Sequence, residues 1–283
     1  MTEKFIAYQG APGANSDMAC RKVQPDFTPL PCETFDETFA MVQDGRADLA
    51  MIPIENSSAG RVADIHHLLP ASGLHIVGEH FQPISYQLLA PKGSDFGTIK
   101  EVHSHVQALS QCRNYLMNKG LRPVVHADTA GAARDVAAAA DPTKAAIAPP
   151  LAGEIYGLEV LDNEIHDLAH NTTRFVIMAR DPVDIEPEDG RVVTSFVFRV
   201  RSVPAALYKA MGGFATNGVN ITKLESYILD GKFTVAQFYA DVEGHPHERP
   251  LRLALEELSF FSREVKILGV YPAAAQREEW SKP

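Results

Sequence analysis

The sequence predicts an α/β protein with two domains, and three observations support this. As far as about residue 180, short apolar runs alternate with amphipathic helical patterns, as expected for βα units that cover a largely parallel sheet. Residues 181–191 carry acidic side chains and prolines that can neither pack nor continue a helix, so we assign them to a linker. From residue 192 to residue 272 the pattern changes to β-α-β-β-α-β. A chain of 283 residues with 45% hydrophobic residues is long enough for two cores.

The first domain, residues 1–180, is predicted to alternate strands and helices. Thr34 and Glu37 have the spacing of a capping box, in which two side chains satisfy free backbone N–H groups at a helix start. Ser104 and Gln107 have the same spacing, so a helix is expected after each pair. The predicted strands are Phe5–Gln9, Leu49–Ile54, Ser85–Ala90, Pro123–His126, Ala145–Ala148 and Arg174–Ala179.

The second domain, residues 192–272, is predicted to form a ferredoxin-like sandwich. Asp230-Gly231 is a strong two-residue hairpin signal between its two central strands. Residues 273–283 are assigned to a C-terminal tail. The predicted elements are a strand at Val192–Val200, a helix at Pro204–Ala215, strands at Val219–Leu229 and Lys232–Val242, a helix at Leu251–Phe261 and a strand at Val265–Val270.

Composition excludes several classes of partner. A net charge of −10 and a pI near 5.5 argue against binding to nucleic acid, which needs clustered Lys and Arg. The chain has no run of about 18 apolar residues and begins without the long apolar stretch of a signal peptide, so no membrane partner is expected. Its three cysteines, Cys20, Cys32 and Cys112, are odd in number, widely spaced and in no C-x-x-C arrangement, which suits a reducing compartment. We therefore expect a cytoplasmic protein.

Three polar stretches follow or begin apolar strands and are candidates for a binding site. Gly10–Ser16 is a glycine-containing turn whose free N–H groups could hold an anion, although a tight βα turn needs glycine for backbone reasons alone. Glu55–Ser58 ends a buried strand, where ligands collect in open parallel sheets, but Asn56 and Ser57 could instead cap a helix. Asn171–Arg174 sets hydroxyl and amide groups beside a guanidinium, as an ordinary strand end also could.

A metal site is not expected. His103 and His105 share a strand face, His66 adjoins His67, and His245 and His247 flank a proline. Metal sites usually need three or four convergent ligands, and no carboxylate or cysteine lies near these histidines at a recognisable spacing.

These stretches resemble the prephenate dehydratase family. Ile52–Gly60 is similar to its glutamate-asparagine-serine signature, and Asn171–Phe175 to its threonine-arginine-phenylalanine signature. Ser104–Cys112 is similar to its serine-histidine-proline-glutamine-alanine-leucine segment, with Val106 in place of the proline. The resemblance implies a two-lobed, periplasmic-binding-protein-like catalytic domain. It also implies a hydro-lyase that turns prephenate into phenylpyruvate without a cofactor.

The resemblance also implies roles for individual residues. Thr173 would assist the departing hydroxyl, and Arg174 would hold the side-chain carboxylate of the substrate. Phe175 would pack against the substrate ring or fill the core. The first loop has Ala14 and Asn15 where the family has Thr or Ser and then an aromatic, so a hydroxyl contact there would come from Ser16 or be replaced by the Asn15 amide. The remaining expected substrate contacts are Asn56, Ser57, His105, Asn171 and Thr172.

Across Gly218-Val219-Asn220-Ile221 and Leu224-Glu225-Ser226 the second domain resembles an ACT domain, which implies that the glycine turn presents backbone N–H groups to a carboxylate. That resemblance implies L-phenylalanine as a feedback effector bound between ACT domains, in a homodimer or homotetramer. Two departures stand out, because Ala205 replaces the family's glycine and Tyr227-Ile228 replace arginine-proline. Tyr227 could then contact the ring of the effector. The implied effector contacts are Ala205, Ala206, Leu207, Asn217, Gly218, Val219, Asn220, Ile221, Glu225 and Ser226.

Two alternatives remain open at this point. Arogenate dehydratase performs the same elimination on a substrate with an amino group in place of the keto oxygen. A non-catalytic two-lobed sensor of small anions would need anion-binding groups but no donor for a leaving group, so Thr173 beside Arg174 disfavours it.

Overall fold

A computed structural model of the chain describes residues 3–62, 65–167, 170–187, 190–201, 203–229 and 236–280. Within these ranges no helix is long and apolar enough to cross a membrane.

Strands of this part of the chain are numbered β1 to β15. They are β1 (Phe5–Gln9), β2 (Thr28–Cys32), β3 (Leu49–Asn56), β4 (Gly60–Arg61), β5 (His75–Pro83), β6 (Gln87–Ala90), β7 (Glu101–His105), β8 (Arg122–His126), β9 (Lys144–Ala148), β10 (Glu159–Asn163), β11 (Thr172–Ala179), β12 (Val192–Val200), β13 (Ile221–Ile228), β14 (Ala236–Glu243) and β15 (Ser262–Pro272).

Helices are numbered α1 to α10, and Phe96–Thr98 forms a short 3-10 turn. They are α1 (Asn15–Val23), α2 (Phe35–Gln43), α3 (Ile65–Ala71), α4 (Val106–Gln111), α5 (Arg113–Lys119), α6 (Thr129–Ala139), α7 (Pro150–Tyr156), α8 (Ala206–Thr216), α9 (Arg249–Phe261) and α10 (Gln276–Trp280).

The strands form three sheets of a mixed α/β fold. The first has the order β2-β1-β3-β11-β5 with β4 attached to β3, and β1 is parallel to both β2 and β3. The second has the order β10-β6-β9-β7-β8, with β7 parallel to β8 and β9. The third is antiparallel, in the order β13-β14-β12-β15. The predicted single run of βα units therefore divides into two sheets.

The chain groups into two compact units that do not follow chain order. One contains residues 1–62 and 80–175, and the other contains residues 63–79 and 176–283. The boundary predicted at residue 180 differs from this grouping. The units divide within two strands, β5 after residue 79 and β11 after residue 175, so that each strand contributes residues to both units. In the second unit, His66 of α3 packs against the sheet, with ring centroids 5.7 Å from Tyr227 and 5.5 Å from Tyr239.

The predicted cap of α2 is confirmed in one half. The Glu37 N–H donates to Thr34 Oγ1 (3.1 Å), so Thr34 caps the helix, but Glu37 Oε2 accepts from the Glu33 N–H (2.8 Å) and not from the Thr34 N–H that a capping box requires. The second capping box is wrong. Ser104 is the buried fourth residue of β7 and donates to the Ile147 carbonyl (2.6 Å), while His105 caps α4.

The second half has the predicted β-α-β-β-α-β order over β12 to β15. One face of its sheet packs against α8 and α9 through Phe196, Phe198, Phe214 and Leu258. The predicted Asp230-Gly231 turn lies outside the described residues.

The predicted tail contains the short helix α10. Arg277 of this helix forms a two-pronged ion pair with Glu79 of β5, at 2.5 Å from Nε to Oε1 and 2.9 Å from Nη2 to Oε2. The Glu79 side chain is fully buried. The ion pair therefore ties this helix to the rest of its unit.

Candidate active site

Two strands of the first sheet end in a cluster of polar side chains. Asn56 is the last residue of β3, and Asn171 and Thr173 flank the first residue of β11. Asn56 Nδ2 donates to Asn171 Oδ1 (2.7 Å) and to Thr173 Oγ1 (2.9 Å). The glutamate-asparagine-serine and threonine-arginine-phenylalanine motifs are thus in direct contact through their side chains.

Ser57 and Thr172 fasten the same two strand ends together. The Ser57 N–H donates to the Thr172 carbonyl (2.9 Å), and the Thr172 N–H donates to Ser57 Oγ (3.0 Å). Ser57 was expected as a substrate contact or a helix cap, and its hydroxyl accepts this bond instead of capping a helix. Its expected substrate contact stays a prediction.

Backbone amides set the orientation of the Asn56 side chain. Asn56 Oδ1 accepts from the N–H groups of Ser58 (3.0 Å) and Ala59 (2.9 Å) and from the Ser58 hydroxyl (2.8 Å). Backbone N–H groups can only donate, so the acceptor side of this amide must face them. Its NH₂ group therefore faces Asn171 and Thr173.

The second sheet contributes Gln111, which the sequence had not singled out. Gln111 ends α4, the helix that follows β7, and its Nε2 donates to Ser58 Oγ (2.7 Å) while its Oε1 accepts from Asn171 Nδ2 (3.0 Å). The Ile84 N–H also donates to the Asn171 carbonyl (2.8 Å), which joins the two chain segments that cross between the sheets.

His105 lies at the other end of α4. Its Nδ1 accepts from the Gln107 N–H (3.3 Å) and so caps the helix. Among the described residues, no hydrogen bond links the His105 side chain to Asn56 or Thr173. Its contact with the substrate stays a prediction.

Arg174 is not brought together with the Thr173 hydroxyl. The two residues are consecutive in β11, so their side chains project from opposite faces of the strand. The guanidinium lies in a side chain that is 2% exposed, donates from Nη1 to Glu55 Oε1 (3.1 Å) and sits over the Phe81 ring (5.9 Å). The expected grip on a substrate carboxylate would have to compete with Glu55. Phe175 is 1% exposed, which agrees with filling the core.

The first loop is held by groups other than the expected Ser16. Ser16 is buried in the first turn of α1, and its neighbour Asp17 accepts from the Gly13 N–H at 2.8 Å. Gly13 has φ +89° and lies so close to α7 that a Cβ would be 2.7 Å from Ala152 Cα. Glycine is therefore required here for a close approach between the loop and a helix of the second sheet.

A cavity of about 450 Å³ opens beside this loop. Gln9 to Pro12 line one side, and Asp128 and Arg134 contribute charged groups, but Asn56, Thr173 and Arg174 do not line it. Among the described residues no three His, Cys, Asp or Glu side chains are grouped closely enough to hold a metal ion.

The second unit has its own cavity at the start of α8. Its volume is about 570 Å³, and its lining includes Ala205, Ala206 and Leu207. Three arginines, Arg199, Arg201 and Arg263, line it as well. Glu225 and Ser226 do not. Arg199 already forms an ion pair with Glu264, so Arg201 and Arg263 are the cations with which the carboxylate of an amino acid would be compatible.

Two expectations about the effector segment need correction. The Gly218 and Val219 N–H groups were expected to face a carboxylate, but they donate to the carbonyls of Ala215 (3.4 Å) and Phe214 (2.9 Å), which is the Schellman pattern that ends α8. Tyr227 was expected near the effector ring. Its ring is buried against His66 and His67, and its hydroxyl accepts from Gln237 Nε2 (2.7 Å). Two other side chains of this segment also form hydrogen bonds within the protein. Asn217 Nδ2 donates to the Gly213 carbonyl, and Asn220 Nδ2 donates to Glu243.

Comparison with known proteins gives consistent results. The family model described as prephenate dehydratase matches residues 6–183. A bifunctional N-acyl-homoserine lactone acylase/prephenate dehydratase of Komagataeibacter europaeus is 52% identical over 98% of this chain and 99% of its own length. Arogenate dehydratase 2 of Petunia hybrida is 39% identical over 95% of this chain and 71% of its own. The crystal structure of prephenate dehydratase from Arthrobacter aurescens in complex with L-Phe superposes with a TM-score of 0.86 at 29% identity, covering 96% of this chain and 91% of that one.

Proposed function

Because the chain belongs to the prephenate dehydratase family, we propose that it converts prephenate to phenylpyruvate in phenylalanine biosynthesis, as a hydro-lyase. The reaction breaks the bond from the ring to its carboxylate. The electron pair of that bond moves through the ring and expels the hydroxyl on the opposite carbon. With one proton taken up, the prephenate dianion gives the phenylpyruvate anion, carbon dioxide and water. Aromatisation of the ring supplies the driving force.

The observation that carries this proposal is the contact between Asn56 Nδ2 and Thr173 Oγ1, at 2.9 Å. Thr173 accepts a bond from Asn56, so its own proton is available to the departing hydroxyl. A threonine hydroxyl is a weak acid, and its contribution would be to orient that hydroxyl and to stabilise developing negative charge. Asn171, Thr172, Ser57, Ser16 and His105 remain proposed donors to the substrate.

No redox or metal chemistry is needed for this elimination. The decisive experiment is a spectrophotometric assay of phenylpyruvate formation from prephenate with excess chelator present. We expect full activity. Activity that disappears on chelation and returns with a divalent metal would contradict the proposal.

Arogenate is the alternative substrate, and a relative named arogenate dehydratase is 39% identical to this chain. The two substrates differ in one group, an amine against a keto oxygen. Parallel measurements of kcat/KM on both substrates would decide between them, and we expect the higher value with prephenate.

A second activity is suggested by the name of the bifunctional acylase relative, which is 52% identical to this chain. Amide hydrolysis by covalent catalysis needs an activated nucleophile. Burial raises the pKa of the Cys112 thiol to about 12 and also raises the pKa of the Cys20 and Cys32 thiols. The thiols are therefore disfavoured, and the Thr173 hydroxyl, which accepts from Asn56 and has no activating base in this contact, is the group to be tested. Release of free homoserine lactone from an N-acyl-homoserine lactone, and its loss in Thr173→Ala, would place both activities in one site.

We also propose that residues 192–272 are an ACT domain that binds L-phenylalanine and inhibits the enzyme. The β-α-β-β-α-β order and the arginine-lined cavity at Ala205–Leu207 support this. Leu224 and Ile228 are 42% and 41% exposed on the edge strand β13, with Ser226 between them, which suits an interface with a second copy in a homodimer or homotetramer. The three free, buried cysteines suit the reducing cytoplasm.

A further inference from the structure

Four side chains around Asn56 form a closed ring of hydrogen bonds. Asn56 Nδ2 donates to Asn171 Oδ1, Asn171 Nδ2 donates to Gln111 Oε1, Gln111 Nε2 donates to Ser58 Oγ, and Ser58 Oγ donates back to Asn56 Oδ1. All four bonds measure between 2.7 and 3.0 Å. We call this set the four-residue ring.

The ring has a single direction, and the backbone determines it. The N–H groups of Ser58 and Ala59 require Asn56 to present its oxygen to them, so its NH₂ group must donate to Asn171. Asn171 must then accept from Asn56 with its oxygen and donate to Gln111 with its NH₂ group. Gln111 in turn must accept from Asn171 with its oxygen and donate to Ser58 with its NH₂ group. The Ser58 hydroxyl, which accepts from Gln111, has its proton left for Asn56.

This direction has a consequence for Thr173. The second N–H of Asn56 Nδ2 donates to Thr173 Oγ1, which occupies one acceptor position of that hydroxyl. The hydroxyl proton of Thr173 must then point away from Asn56. Hydrogen bonds arranged head to tail polarise one another, so a closed ring also strengthens Asn56 as a donor.

Gln111 is the member that closes the ring from outside the first sheet. Asn56 and Ser58 lie at the end of β3, and Asn171 precedes β11, whereas Gln111 ends a helix that follows β7 of the second sheet. The backbone carbonyl of Gln111 also accepts from the Asp167 N–H (2.7 Å), and Asp167 lies in the chain segment that leads to Asn171. The ring is therefore complete only when α4 and the two strand ends are held together.

We propose that Gln111 is a positioning residue: by closing the four-residue ring it holds Asn56 and Asn171 so that the Thr173 proton is directed to the departing hydroxyl of the substrate. This inference rests on the proposed dehydratase function. It predicts that Gln111 affects the rate of the chemical step more than substrate binding, although it is not assigned a contact with the substrate.

The test replaces Gln111 with methionine, which keeps the length of the side chain and removes both bonds. We expect kcat to fall by about tenfold or more while KM changes by less than about threefold. The control is Gln87→Met, because Gln87 also donates its amide to an asparagine, Asn163 (2.7 Å), but belongs to β6 away from the ring. This control should retain its kcat within about twofold.

A double-mutant cycle with Ser58→Ala tests whether the ring acts as a unit. Ser58 is exposed, so its substitution should not endanger folding even if Gln111→Met does. Once either variant has opened the ring, the second should cost little more, so the double variant should have nearly the kcat of the more impaired single variant.

Three results would overturn the proposal, and they are distinguishable. Losses of kcat that multiply in the double variant would show that the residues act independently. An unchanged kcat in folded Gln111→Met, or in Ser58→Ala alone, would show that closure of the ring does not matter. A wild-type protein that forms no phenylpyruvate would remove the proposed function itself, and the role of Gln111 would fall with it.

Discussion

Asn56 Nδ2 and Thr173 Oγ1 lie 2.9 Å apart although 117 positions separate the two residues in the chain. The contact exists because β3 and β11 are neighbours in one sheet and Asn56 stands where β3 ends. It makes the amide a donor and the hydroxyl an acceptor. The proton of Thr173 is thereby left for a substrate.

Replacing Thr173 with alanine should lower kcat by about 10²–10³-fold, because one donor to the departing oxygen is lost. KM should change much less. Thr173→Ser keeps the hydroxyl and should retain most of the activity. Steady-state kinetics on both variants, with circular dichroism to verify folding, would check this. An alanine variant with near wild-type kcat would remove Thr173 from the mechanism.

Replacing Asn56 with aspartate should lower kcat by about 10²-fold or more, since the donor to Thr173 becomes an acceptor and draws the threonine proton toward itself. A new negative charge near a dianionic substrate should also raise KM. The matched control is Asn163→Asp in β10, which still accepts from Gln87 and should leave kcat unchanged. Equal activity in both variants would show that the direction of the Asn56 bond is unimportant.

Replacing Arg174 with alanine should chiefly lower the free energy of unfolding, by about 3 kcal/mol, because this ion pair with Glu55 would be lost and a buried side chain would leave a void. Arg46→Ala is the control, since its ion pair with Asp44 joins side chains that are 55% and 60% exposed and should be worth less than about 1 kcal/mol. Chemical denaturation measures both. A stable Arg174→Ala variant with a tenfold higher KM would instead restore the guanidinium as the grip on a substrate carboxylate.

Sequence patterns predicted the elements whose local signals agreed with their tertiary role. The cap at Thr34 was predicted correctly because its hydroxyl and the Glu37 N–H lie within one turn of helix. By contrast, β2 contains Pro29 and Pro31 and was not predicted, because prolines disfavour a central strand. It is tolerated as the edge of its sheet, beside β1.

The active-site motifs were predicted by resemblance, but their connections were not. Gln111 looks like an ordinary residue of an amphipathic helix, and its role becomes visible only when α4 meets the ends of β3 and β11. Gly218 shows the opposite case. The sequence predicted that a helix ends near Gly218, and the structure confirms this with φ +68°, but the effector contact that the resemblance implied was not separable from that role, because the Gly218 N–H is used in ending α8.

Breaking the ion pair between Glu79 and Arg277 should destabilise the second unit. Arg277→Ala leaves the fully buried Glu79 carboxylate without its two-pronged partner, which should cost about 3–5 kcal/mol. Glu278→Gln, an exposed neighbour in α10, should change the free energy of unfolding by less than about 0.5 kcal/mol. Thermal or urea unfolding would check both. Equal stability of the two variants would show that α10 does not contribute to the fold.

Ala205 provides a test of both stability and regulation. It precedes α8 with φ +59° and ψ +21°, a left-handed conformation that costs a residue with a Cβ about 1–2 kcal/mol. Glycine loses more entropy on folding, about 0.4–1 kcal/mol, which offsets part of the gain. Ala205→Gly should therefore stabilise the protein by up to about 1.5 kcal/mol. The control is Ala215→Gly, exposed within the same helix, which should destabilise it by about 0.5–1 kcal/mol.

The same substitution should tighten the binding of L-phenylalanine. The Ala205 Cβ stands at the cavity that includes Ala206 and Leu207, and its removal enlarges the space for the backbone of the effector. Calorimetric titration should be done on the intact chain, because residues 63–79 group with the second unit and a truncation at residue 180 would divide that unit. We expect L-phenylalanine to bind, to inhibit and to raise the melting temperature, whereas D-phenylalanine should not. Inhibition requires that the effector bind the less active state more tightly, with a coupling of about 1–3 kcal/mol. If millimolar L-phenylalanine neither binds nor inhibits the wild type but does both in Ala205→Gly, the alanine methyl group has disabled the sensor. If neither protein responds, the cavity does not serve phenylalanine.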